Sequence, residues 1–245
     1  MTVAPRPNGM CWAFSHEPVC RTCRHHEFLH GASHAGELVG RARELGLSAI
    51  GVADRNTLAG VVRAHLAAKA AGMHLLVGAR LVPQDGPELI CYPTDRAAYG
   101  RLSRLLSDGK RRAEKGDCLI TLADIAAASE GQVFIALPPE RPGTAFETML
   151  QHLAGLWPGS LYLAARYAFQ GRNREHLARL ASLGARCGVP MIAVNDVIYH
   201  TAARRPLQDV ITCIREHCTI DTAGFRLEAN AERHLKPPEE MARLF

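Results

Sequence analysis

Regular alternation of strand-like and helix-like segments from Gly31 onward is the feature that most restricts this chain's fold. Ser33 can cap a helix with Leu38, Ala42 and Leu45 on one face, and Gly46 can stop it. Residues 47–53 read as a buried strand, 58–71 as a helix ended by Gly72, and 74–82 as the next strand. Pro83-Gln84-Asp85-Gly86-Pro87 reads as a turn into a strand at 88–92. Asp95 can cap a helix carrying Tyr99, Leu102 and Leu106 on one face and ending at Gly109. Thr121 with Asp124 has the spacing of a capping box. Strands at 132–137, 160–166 and 189–194 then alternate with helices at 145–156 and 172–187. Such a series demands a largely parallel sheet with helical crossovers, an α/β fold that is open or barrel-like.

The chain divides into three regions on this reading. Residues 1–30 hold Cys11, Cys20, Cys23, His16, His25, His26 and His30 without strand or helix period, and are expected to be a divergent, partly disordered segment. Residues 31–203 form the α/β body. Residues 204–245 are basic and helical, with a helix expected from Pro206 to about His217. Pro237-Pro238 and the acidic residues after them open a further helix, and a chain ending one turn into it reads as a fragment. No apolar run approaches the ~20 residues of a membrane span, and the N-terminus lacks the apolar core of a signal peptide. Eight cysteines without an export signal point to a reducing, cytoplasmic setting with free thiols. A net charge of +5 permits contact with nucleic acid without requiring it.

Ligands of α/β sheets and barrels gather at the carboxyl ends of strands. Those ends carry Asp54-Arg55-Asn56, Gly78-Ala79-Arg80 and Asn195-Asp196-Val197-Ile198-Tyr199-His200. Asp54 and Asp196 are the generic candidates for metal or acid–base chemistry; the competing reading is that they cap the turns that follow.

Several segments carry a resemblance. Gly31-Ala32-Ser33-His34, the stretch from Ala53 to His65, Gly78-Ala79-Arg80, Pro93-Thr94-Asp95-Arg96 and Arg204-Arg205-Pro206-Leu207 resemble the PHP (polymerase and histidinol phosphatase) domain. More narrowly, they resemble the form found at the N-terminus of bacterial error-prone, C-family DNA polymerases, through Asn230-Ala231-Glu232-Arg233-His234-Leu235. The resemblance implies a distorted TIM-like (β/α)7 barrel. It also implies a parent enzyme that copies damaged DNA, whose palm would use Mg2+ and lies outside this chain. Polymerase domains are then the implied partners, with DNA reached through the parent and no membrane involved.

The departures from the family pattern are chemical. Metal-binding PHP domains open with a His-x-His pair on the first strand, whereas His25 and His26 are adjacent here and would point to opposite faces of a strand. Arg55 stands where the family has a His, Arg80 where it has a Glu, and Asp196-Val197-Ile198 where it has Asp-x-His. Fixed positive charge at two ligand positions repels a divalent cation. The resemblance therefore implies degenerate site positions at Asp54, Arg55, Arg80, Asp196, Ile198 and His200, with no catalytic residue, no metal and no cofactor held by this chain. A metal-dependent phosphoesterase is the alternative function.

The first strand is expected to be missing or irregular, leaving the edge of the 47–53 strand unpaired. Cys20 and Cys23 with His25 or His30 could form a tetrahedral zinc site; one Cys-x-x-Cys pair is a weak signal for it, and an irregular arm is the other reading. Lys110, Arg111 and Arg112 are expected in a loop after Gly109, where they could touch a phosphate backbone or be solvated. No aromatic residue is interleaved to stack bases. Cys91, Cys118, Cys187, Cys213 and Cys218 read as packed thiols.

Overall fold

A computed structural model describes residues 19–23 and 30–245. Seven strands form one sheet in sequence order among these residues. They are β1 (Val19–Cys23), β2 (Ala49–Arg55), β3 (His74–Leu81), β4 (Leu89–Pro93), β5 (Gln132–Ala136), β6 (Leu161–Arg166) and β7 (Met191–Val194). Pairing is parallel from β1 to β3 and from β5 to β7, while β4 is antiparallel to both neighbours. The short connection at 82–88 accounts for the reversal, since a parallel crossover needs a dozen residues or more. The sheet curls until Cα atoms of β1 and β7 come within 8 Å. The architecture is thus the α/β, TIM-like barrel expected.

The helices flank this sheet: α1 (Ala35–Glu44), α2 (Val61–Ala71), α3 (Arg96–Arg111), α4 (Leu122–Ala127), α5 (Thr144–Leu156) and α6 (Asn173–Cys187). Local chemistry sets their ends. Asp95 Oδ1 accepts from the Ala98 N–H at 2.7 Å, and Thr121 and Asp124 form the reciprocal capping box. Gly72 and Gly188 take left-handed φ values of 64° and 65° as the caps of α2 and α6. The start of α1 falls one residue later than expected, on His34.

Both faces of the sheet are buried, as a barrel requires. Along β4, Leu89 and Cys91 join the outer core with α3, α5 and α6, where Phe134 stacks on Trp157 at 4.1 Å. Alternate residues Ile90 and Tyr92 face the interior with Ala53, Ile135, Ala164 and Val194. This two-residue alternation fixes which strand-end side chains look into the barrel mouth.

Three expectations are corrected. A first strand is present: β1 pairs in parallel with β2, so the sheet edge is occupied. It is irregular, because the register slips between Cys20 and Cys23. Main-chain hydrogen bonding tolerates many sequences, which is why a segment without apolar alternation can occupy this edge. Second, Lys110 and Arg111 are not in a loop but in the last turn of α3, with Arg112 as its cap. Gly109 does not end that helix. A Cβ there would meet Ile120 Cγ2 at 2.6 Å and Cys118 Sγ at 2.7 Å, so this glycine serves close packing. Third, Tyr99 is exposed, and α3 buries Ala98, Leu102, Leu105 and Leu106.

Helices α7 (Arg205–Arg215), α8 (Ile220–Ala223) and α9 (Pro238–Leu244) follow. Between α8 and α9 the chain returns to the barrel. Ile198 N–H donates to Arg233 O at 3.0 Å, Tyr199 bridges to His234, and Leu235 enters the cluster beneath α1. The barrel mouth therefore includes residues well beyond 203.

Candidate functional site: an ion-pair network at the barrel mouth

The C-terminal ends of the parallel strands and the N-terminal end of antiparallel β4 meet at one pole. Arg55 and Arg80 are register partners there, on β2 and β3. Glu88, just before β4, bridges them. Arg55 Nη1 donates to Glu88 Oε1 at 2.7 Å, and Arg80 pairs with Glu88 Oε2 through two of its nitrogens. Arg80 also reaches across the mouth, where its Nη1 donates to Asp196 Oδ1 at 3.1 Å.

Asp196 follows β7 with φ of +46°, a conformation that Asp tolerates better than most residues. Its second oxygen accepts from Arg233 Nη2 at 2.7 Å, and Arg233 Nε donates to the Asp196 carbonyl at 2.9 Å. Arg233 also pairs with Glu228, and Arg166 at the end of β6 stands 4.0 Å from Asp196. Charge thus alternates from Arg55 through Glu88, Arg80, Asp196 and Arg233 to Glu228. Burial opposes ionisation of Asp196, but Arg233, Arg80 and Arg166 outweigh it and hold the carboxyl below its usual range. Glu88 is lowered in the same way: burial opposes and Arg80 and Arg55 prevail.

The remaining expected positions lie apart from this chain of charges. Asp54 is buried, and its Oδ2 accepts from the Gly60 N–H at 3.0 Å, which fits the turn-capping reading. Ile198 is 1% exposed, its backbone tied to Ala32 and Arg233, and its side chain offers no ligand. His200 Nδ1 lies 2.7 Å from Ser33 Oγ, which accepts from the His200 N–H at 2.9 Å. Desolvation by burial, chiefly, lowers the His200 pKa.

Of the suggested zinc ligands, His30 accepts a hydrogen bond on Nδ1 from Arg215 at 3.1 Å. Desolvation, with Arg215 and Arg55 nearby, brings its pKa down to about 4. Cys20 and Cys23 lie on β1, and His25 falls outside the described residues. The basic turn is internally engaged: Lys110 donates to Thr57 Oγ1, Arg111 pairs with Asp108 and Arg112 with Asp124. Cys91 and Cys213 are buried, and Cys118, Cys187 and Cys218 are half-buried free thiols.

Sequence reading missed Glu88, Arg166, Glu228 and Arg233. The hairpin at 82–88 was the available signal for Glu88, because a reversed strand starts at the pole where its parallel neighbours end. Arg166 closes β6 and so satisfied the strand-end criterion without being chosen. For Arg233 and Glu228, distant in sequence, no local signal exists.

A family model described as the PHP domain matches residues 21–167. The chain belongs to the PHP domain family. Within it, this PHP chain is 58% identical over 219 residues to the "Error-prone DNA polymerase" of Caulobacter vibrioides and 51% identical over 224 residues to that of Rhodopseudomonas palustris. Each alignment covers 89% of this chain and 20% of the relative, so the chain spans about a fifth of the length of the curated relatives it matches. Two solved structures share the fold. One is an amidohydrolase from Chromobacterium violaceum, with a TM-score of 0.53 and 14% identity over 76% of this chain and 88% of that one. The other is a candidate metal-dependent phosphoesterase from Bifidobacterium adolescentis, with a TM-score of 0.52 and 16% identity over 73% and 87%.

Proposed function

We propose that this chain is the PHP portion of an error-prone DNA polymerase that copies damaged DNA, and that it is itself a non-catalytic scaffold for the polymerase domains. The single observation that carries the non-catalytic reading is the pairing of Arg80 with both Glu88 and Asp196. The metal centre that the family resemblance implies does not fit these residues. Two guanidinium groups stand at ligand positions, and they and Arg233 already occupy the carboxylates of Glu88 and Asp196. Ile198, at a third such position, has no donor atom. Asp54, Arg55, Arg80, Asp196, Ile198 and His200 are on this reading a remodelled site whose ion pairs brace the barrel mouth.

The identities to named error-prone polymerases support the parentage. Mg2+ and the chemistry of nucleotide transfer belong to the parent's other domains, and we assign contact with DNA to those domains as well. Arg111 and Arg112 are already paired with carboxylates, which weakens the case for phosphate contact at that turn. No helix among the described residues is long and apolar enough to cross a membrane, in keeping with a cytoplasmic polymerase.

The test is replacement. The chain is exchanged for the matched stretch of the C. vibrioides polymerase, and primer extension past a template lesion is measured alongside the chain alone. The expected result is extension by the chimera and none by the chain. Phosphoester turnover by the chain alone, or a soluble chimera without polymerase activity, would overturn the proposal.

A further inference from the structure

Helix α7 carries apolar residues on two sides. Gln208, Thr212 and Cys213 are buried and Ile211 packs on Ala32, Ile198 and Tyr199, while Leu207, Val210 and Ile214 stand 42%, 45% and 54% exposed. Spacings of three and four residues place these three on one stripe of the helix. In the turns that follow, Ile220 is half exposed and Phe225 fully so. Exposed apolar residues repeated along one stripe of a helix mark an interaction face rather than ordinary surface variation. Charges flanking it are already matched within the domain: Arg204 pairs with Glu37, Arg205 with Asp209 and Arg215 with Glu216. The face is therefore an apolar centre with a neutralised rim, which suits a permanent protein contact rather than a nucleic acid.

We infer that the Leu207–Val210–Ile214 stripe, together with the adjoining helix α8, is the surface on which the rest of the error-prone polymerase packs. The inference rests on the function proposed above. The occupant is argued from the comparison: the chain accounts for only 20% of its relatives' length, so four fifths of such an enzyme lies outside it and is available to cover this face. A second exposed apolar pair, Val62 and Leu66 on α2, shares a stripe but stops at two residues among Arg63, His65 and Lys69.

The experiment co-expresses the affinity-tagged chain with the C. vibrioides polymerase lacking its matched N-terminal stretch, and measures the polymerase recovered with the tag. Val210→Asp and the milder Ile214→Ser are compared with Val62→Asp, each checked for unchanged circular dichroism. The expected result is co-purification with the parent chain and with Val62→Asp, and a fall of roughly tenfold or more with Val210→Asp. In the chimera, amide exchange across residues 205–215 is expected to be slower than in the chain alone. Equal recovery with the α7 variants and unchanged exchange would overturn the inference while leaving the proposed function standing. A chain that self-associates through the stripe, with Val210→Asp restoring a monomer, would assign the face to a second copy and overturn it too. Failure of the wild-type chain to co-purify, together with an inactive chimera, would remove the proposed function and this inference with it.

Discussion

Arg55 and Arg80 sit side by side on neighbouring strands, and the single carboxylate of Glu88 accepts from both. Two guanidinium groups in register repel one another, so the bridging anion is what makes their adjacency tolerable. Glu88→Gln keeps the shape and removes the charge. It is expected to lower stability by about 1–3 kcal/mol, read from urea unfolding. An unchanged midpoint would show that solvent already screens the pair.

Asp196 faces three cations, Arg80, Arg233 and Arg166, and is almost wholly buried. Removing its charge leaves the buried Arg80 and Arg233 guanidinium groups with Glu88 and Glu228 as their remaining partners. Asp196→Asn is therefore expected to cost about 3–5 kcal/mol. Arg80→Met should cost less, because Arg233 still neutralises Asp196. The two substitutions combined should cost less than the sum of the singles, since they belong to one network. Additive losses in a double-mutant cycle would contradict the coupling.

Acid sensitivity is expected in two stages. His30 has a folded pKa near 4, below its unfolded value of about 6.5, so the unfolded chain takes up the proton first. Stability should fall as pH drops from about 6.5 to 4 and then level for this group. Asp196 and Glu88 have lowered folded pKa values, so their contribution is present above about pH 4 and is lost below it. His30→Gln should make the upper stage of the melting temperature's pH profile shallower without removing it, since the lowered pKa values of His200 and His176 act in the same direction. A proton NMR titration of His30 with a midpoint near 6.5 would refute its burial against Arg215.

Two glycine replacements should act in opposite directions. A Cβ at Gly78 on β3 would lie 2.5 Å from the Cys91 carbonyl oxygen, whereas a Cβ at Gly40 on α1 meets nothing within 4 Å. Gly78→Ala is expected to destabilise by about 1–3 kcal/mol through overpacking. Gly40→Ala should stabilise by about 0.5–1 kcal/mol through helix propensity. Thermal unfolding of both variants checks the pair.

What the sequence revealed and concealed divides along physical lines. Elements with strong period and caps were legible: α4 from Thr121 and Asp124, α2 from the Gly72 that ends it, β2 from its unbroken apolar run. The charge that Arg55 and Arg80 bring to the strand ends was legible as well, because charge is a property of the residue. The end of α3 was misjudged because Gly109 looks like a stop signal but is selected by packing on Ile120. Strand β1 escaped notice because its pairing rests on main-chain bonds that leave no apolar pattern. The roles of Glu88 and Arg233 were hidden because they depend on a strand reversal and on a segment returning from 37 residues away.

The central claim is that the barrel mouth is braced by ion pairs at the positions where the family resemblance implies a metal site. Metal content measures it most directly: the purified chain is incubated with Mn2+ and Zn2+, desalted and subjected to elemental analysis, beside the Arg80→Glu variant. Well below one metal ion per chain is the result predicted for the parent chain. Stoichiometric metal in the parent chain, accompanied by turnover of a phosphoester that Asp196→Asn abolishes, would contradict the account.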